Sequence, residues 1–260
     1  VTTTAKESPT PYIEALQASY NRLCDLVVGA DQETLEGPSG CATWSLAQLL
    51  SHLGSGAEIF AATLDMFAAS GTTPDISVNE EIWARWNALN SVTQARRWHE
   101  VDGALIERLR GGRQELDRFT TTLFGFYPAD GAGFVRLRLG EHALHLFDVE
   151  VITNPDAIIL DSAASLLVAH FANFASFLGH PESIAPTTPL SLVIELATMQ
   201  RSYHLHVSDT VTVAPSPASK GDLTMSAEGF IRLITGRTHH GRRVGNTANF
   251  LTLTKLFPGF

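Results

Sequence analysis

Through the first two-thirds of the chain, apolar residues recur every three to four positions. In the last third the period shortens to two and β-branched residues gather. The first pattern predicts amphipathic helices and the second predicts strands, because side chains share a face every 3.6 residues in a helix and every second residue in a strand. Ile13, Leu16, Tyr20, Leu23 and Val27 mark a first helix, with Pro11 in its first turn and Gly29 as its stop. Glu36–Gly40 is a loop by its glycines and proline. Ser45 opens a second helix, and Gln48 three residues on completes a capping box. That helix continues through Leu49, His52, Leu53, Ile59, Phe60, Leu64 and Phe67 to Gly71. A third helical region spans about 79–109 with an interruption near Asn90-Ser91. A loop holding Pro128 and Gly131 follows, and a fourth helix runs from about Phe134 to Ile152, closed by Asn154-Pro155.

A fifth helix is expected from Asp161 to Leu178, capped by Asp161 or Ser162 and stopped by Gly179. Beyond it, Leu190–Leu196, Ser202–Val207, Thr210–Val213 and Asp222–Met225 read as strands, with a tight turn at Ser208-Asp209. A short helix over Ala227–Ile234 ends at Gly236, and a last one begins at Asn246 or Thr247 and reaches Leu256. Four helices joined by loops predict a bundle, and the rest predicts a small α/β unit, making the class α+β. The change of period places the boundary between Asn154 and Pro189, taken as 1–156 and 157–260.

Composition narrows the function classes. The 260 residues are 44% hydrophobic and 17% charged, with a net charge of -9. An acidic chain without a basic stripe is not built for nucleic acid. The two cysteines, Cys24 and Cys41, have no CxxC spacing, which excludes a cysteine-based zinc site or a disulfide framework and leaves two structural or simply reduced thiols. The polar opening Val1–Thr10 lacks the apolar core of a signal peptide, and no apolar run is long enough for a bilayer, so a soluble cytoplasmic protein is expected.

The candidate chemistry lies on two of the predicted helices. Glu141 and His145 are spaced i, i+4 and project from one helical face. His52 falls on or near the apolar stripe of the second helix. Two imidazoles and a carboxylate form the donor set of catalytic zinc sites, with a fourth position open, although iron, nickel or manganese would also fit. Asp148, three residues past His145, is placed to orient that imidazole. The alternative is that these are core histidines with ordinary partners. His142 is expected to point away from Glu141, at the surface. His204 and His206 share a strand face that is read as solvent-facing, and Trp83, Trp86 and Trp98 are read as packing residues. Ser45 is a helix cap rather than a nucleophile.

The ordered combination Trp44-Ser45-x6-His52-Leu53, then Glu141-x3-His145-x2-Asp148, resembles the DinB-like metal-dependent thiol transferases. More closely, it is similar to the mycothiol-dependent maleylpyruvate isomerases. That resemblance implies a DinB-like four-helix bundle followed by a smaller sterol-carrier-like α/β domain, over nearly the whole chain. It implies His52, Glu141 and His145 as ligands of a divalent metal, most simply zinc, and mycothiol as the thiol cosubstrate. Gly236-Arg237 matches a Gly-Arg motif in the family's C-terminal domain, which implies an arginine that faces the metal cleft and serves activity. The locally basic stretch Gly236–Arg243 would then receive an anionic ligand, or be a solvated loop. Gly140 departs from a good helix interior and puts the local geometry to the test. The implied function is an isomerase or transferase that attacks a small electrophile with a metal-bound thiolate. The partners are a small molecule and a low-molecular-weight thiol, on a monomer or homodimer without nucleic acid or membrane. Two alternatives stay open: a natural-product biosynthetic mycothiol S-transferase, and a non-catalytic metal- or ligand-binding protein.

Overall fold

The computed structural model describes residues 6–123, 127–184, 190–218, 220–239, 241, 244 and 248–259. The chain divides into two compact units, Val1–Ile152 and Thr153–Phe260. The fifth predicted helix belongs to the second.

Four long helices build the first unit: α1 (Thr10–Val27), α3 (Leu46–Ser70), α5 (Ser91–Gly111) and α7 (Gly131–Glu150). α3 packs on α5 and α7, and α1 packs on the same two, so each helix has two neighbours around a shared core. This is bundle packing, with Leu16, Leu23, Leu49, Leu53, Leu64, Leu105, Val135 and Leu139 at the centre. The capping box is present: Ser45 Oγ accepts from the Gln48 amide, and Gln48 Oε1 accepts from the Ser45 amide. Such a cap contributes about 1 kcal/mol and fixes where α3 begins.

The interruption expected near Asn90-Ser91 is present: the third helical region is two helices, α4 (Ile76–Asn87) and α5, the second capped by Asn90. Other local expectations need correction. Two short helices, α2 (Gln32–Glu36) and α6 (Arg113–Arg118), were not foreseen. The loop before α7 contains an antiparallel pair, β1 (Thr120–Leu123) and β2 (Tyr127–Asp130), and Asp130 then caps α7. Gly140 does not interrupt α7. Trp86 and Trp98 are core residues, whereas Trp83 is 41% exposed.

The second unit opens with α8 (Asp161–Leu178). Its N-cap is Leu160, without a side-chain cap, so neither Asp161 nor Ser162 caps it. A four-stranded sheet follows in the order β5-β4-β3-β6, from β3 (Leu190–Leu196), β4 (Arg201–Val207), β5 (Val211–Ser216) and β6 (Leu223–Met225). β3–β4 and β4–β5 are antiparallel, and β3–β6 is parallel. Tyr203, Leu205 and Val207 turn inward from β4, and Tyr203 stacks on Phe230 of α9 (Ala227–Ile234). α8 packs on β5 and α9, and α10 (Ala248–Leu256) closes the described chain. The expected start of α10 at Asn246 or Thr247 lies outside the described residues. No described helix is long and apolar enough to cross a membrane.

Candidate metal centre

α3 and α7 bring the three predicted donors together. His52 Nε2 lies 2.9 Å from Glu141 Oε2, and His145 Nε2 lies 3.7 Å from the same oxygen. One ligand atom from each of the three residues falls within 4.8 Å of the others. Around a tetrahedral zinc ion with bonds near 2.0–2.1 Å, neighbouring donors sit about 3.4 Å apart, so this triangle fits a single ion after small adjustments. The two imidazoles meet edge-on, with centroids 4.9 Å apart. Trp44, one residue before the α3 cap, lays its ring 5.0 Å from His52 and 6.0 Å from His145.

The protonation states suit coordination. Burial works to raise the Glu141 carboxyl, but the hydrogen bond from His52 and the nearby imidazoles outweigh it and bring its pKa down to about 2. Burial pushes His145 below its ordinary value, against the opposing pull of Asp148. A carboxylate and a neutral imidazole are the forms a metal needs. Asp148 Oδ2 accepts from His145 Nδ1 at 3.0 Å. That bond assigns the ring proton to Nδ1 and leaves Nε2 with a lone pair toward Glu141.

Two residues beside this triangle were misjudged from sequence. The Cys41 thiol donates to Asp148 Oδ2 at 3.1 Å and lies 3.7 Å from His145 Nδ1. The exclusion of a cysteine-based zinc site did not foresee a thiol within reach of His145 and Asp148. It rested on CxxC spacing, which says nothing of a thiol delivered by a loop from another part of the chain. That loop is pinned: the Gly40 amide donates to Asp148 O at 2.6 Å, and a Cβ on Gly40 would stand 2.5 Å from the same oxygen. His142 is not at the surface. It is fully buried, with Nε2 2.7 Å from Asp102 Oδ2. Arg138, also buried, donates from Nη2 to Asp102 Oδ1 at 2.8 Å and to Leu53 O at 2.7 Å. Asp102 on α5 and Arg138 on α7 thus hold the backbone of α3 next to His52. Burial opposes the Asp102 charge, yet Arg138 and His142 keep its pKa well below the usual carboxylate range.

A sequence comparison decides the affiliation. The family described as "Mycothiol maleylpyruvate isomerase N-terminal domain" matches residues 16–150 of the 260. The chain belongs to the mycothiol maleylpyruvate isomerase family. Two solved structures share the fold of this family member. One, a crystal structure of the mycothiol-dependent maleylpyruvate isomerase, is 13% identical with a TM-score of 0.64 and covers 92% of each chain. The other, a crystal structure of that enzyme's H52A mutant (in its own numbering), is 14% identical with a TM-score of 0.61, over 89% of this chain and 90% of that one. No curated protein matches in sequence.

In the second unit, Arg237 follows Gly236, whose φ of 72° turns the chain out of α9. The turn is held from beneath: Arg232, fully buried, accepts the Arg237 amide at its carbonyl and donates from Nε to Arg237 O at 3.0 Å. Arg237 Nη1 donates to Thr235 O at 3.3 Å. The rest of the basic stretch, His240, Arg242 and Arg243, lies outside the described residues. His204 is exposed and pairs with Ser191 Oγ at 2.7 Å, while His206 is half-buried.

Proposed function

We propose that this chain is a metal-dependent, mycothiol-using isomerase or transferase acting on a small electrophilic substrate. His52, Glu141 and His145 hold one divalent ion, zinc by donor type, and Arg237 serves turnover. The observation that carries the reading is the meeting of two imidazoles and an ionised carboxylate from α3 and α7, with His145 already oriented by Asp148. Three protein donors leave one coordination position for an outside ligand. A divalent ion at that position lowers the pKa of a coordinated thiol and so supplies thiolate at neutral pH.

The chain's own residues do the remaining work. Asp148 keeps the His145 proton on Nδ1, so Nε2 stays a donor. Trp44 sets its ring beside both imidazoles. The Arg237 guanidinium offers a two-pronged partner for a carboxylate on the thiol or on the acceptor. An acceptor with a conjugated double bond would undergo thiol addition, rotation and elimination. A simple electrophile would keep the thiol.

The test is metal analysis of the purified parent beside His52→Ala, followed by titration with the thiol. The parent should carry close to one divalent ion per chain and the variant should lose most of it. Equal metal in both would reject the ligand set.

A further inference from the structure

Cys41, Asp148 and the far nitrogen of His145 form a second triangle of donors. Its sides are 3.1 Å (Sγ to Oδ2), 3.7 Å (Sγ to Nδ1) and 3.0 Å (Nδ1 to Oδ2). A tetrahedral ion with one bond to sulfur near 2.3 Å and two to nitrogen and oxygen near 2.0 Å spaces its donors about 3.3–3.5 Å apart, so the three side chains already stand close to the face of such a tetrahedron. Asp148 and His145 are buried while Cys41 is half-exposed, which gives an ion a way in through the loop. The backbone of that loop is fixed on α7 by the Gly40 amide, and Ser39 Oγ ties it further by accepting from the Cys41 amide and donating to Trp44 O. The sulfur is therefore held in place before any ion arrives.

We propose that Cys41, His145 Nδ1 and Asp148 make a second cation position, selective for thiophilic divalent ions such as Cd2+, on the opposite side of the His145 ring from the first. The two positions use different nitrogens of one imidazole, so both can be occupied at once, with His145 bridging them, and either can be occupied alone. Binding releases the Cys41 thiol proton to solvent; the His145 Nδ1 proton moves to Nε2 while the first position is empty, and goes to solvent as well when an ion holds Nε2, leaving a bridging imidazolate. It also replaces the hydrogen bond that Asp148 makes to His145. A hard ion gains little from sulfur and does not repay that loss, whereas a soft ion does. The second triangle exists whether or not His52 and Glu141 bind metal, so the proposal stands apart from the reading of the first.

The experiment is titration of the metal-free full chain with Cd2+, following stoichiometry and the ultraviolet thiolate-to-cadmium absorption. The parent should bind two equivalents, one of them with the sulfur band. Cys41→Ser and Cys41→Ala, with fold checked by circular dichroism, should bind one equivalent without the band, and Cys24→Ser should behave as the parent. His52→Ala should lose one equivalent and keep the band. A band that survives both Cys41 variants, or that is absent from the parent, overturns the proposal. So does a band lost in His52→Ala, because the sulfur would then belong to the first centre. If His52→Ala still binds two equivalents with the band, the first ligand set is wrong and the Cys41 position stands.

Discussion

Asp148 Oδ2 accepts both from His145 Nδ1 and from the Cys41 thiol, so one carboxylate oxygen fixes the tautomer of a proposed metal ligand. Partners of this kind typically carry ten- to hundredfold of metal affinity. Asp148→Asn should therefore weaken zinc binding by about that factor in a competition titration with a chelator. A change under twofold would remove Asp148 from the centre. The titrating groups give a second expectation, for the metal-free protein. His142 and His145 are both pushed below the ordinary value of 6.5 by burial. Well above pH 6.5 both states carry them neutral and they add no slope. Below it the unfolded chain takes up protons first, so stability falls as pH is lowered. Glu141, brought from 4.5 to about 2, adds stability that is present above 4.5 and fades as pH falls toward 2. The urea midpoint should be level above about pH 7 and decline below 6.5. A midpoint that stays level down to pH 5 would contradict the buried-neutral histidines.

At the scale of elements, α7 carries Arg138, Glu141, His142, His145 and Asp148, while the loop before α3 docks on its C-terminal half. Gly40 makes that docking possible. Gly40→Ala places a methyl against Asp148 O and should cost on the order of 1–3 kcal/mol, read as a lower denaturant midpoint at unchanged slope. An alanine variant as stable as the parent would mean that the contact gives way freely. α7 also shows where sequence reading ran out. Periodicity found α1, α3 and the strands of the second unit, because each has one apolar face. All of α7 except Arg136, Leu137 and Glu141 is buried or nearly so, and a helix covered on nearly every side has no polar face to mark direction. His142 was misplaced for that reason. The i, i+4 rule still paired Glu141 with His145, since that depends only on the helix. The β1–β2 pair escaped because its four-residue strands are too short for alternation to register, and one holds Pro128. Cys41 escaped because proximity through a loop leaves no trace in spacing.

Across the whole molecule, the proposed ligands lie in the first unit and Arg237 in the second. Arg237→Ala should leave metal content unchanged and lower kcat/KM at least tenfold, a loss of about 1.4 kcal/mol or more in transition-state stabilisation. Unchanged turnover would remove Arg237 from the reaction, and lost metal would make its role structural. The order of the two halves was legible because a helical period and a strand period succeed one another in the chain. The meeting of Glu141 and His145 was legible from their i, i+4 spacing, whereas the approach of His52 rests on the packing of α3 against α7.

His52 and Glu141 stand 89 residues apart in the chain and meet only where α3 and α7 lie side by side. A polypeptide still emerging from the ribosome owns the first imidazole long before the carboxylate exists. A nascent chain halted ahead of α7 can therefore grip no ion through this triangle. Loading of the proposed ion would belong to the interval after the last bundle helix has left the exit tunnel, and an ion captured then would clasp the two distant stretches together.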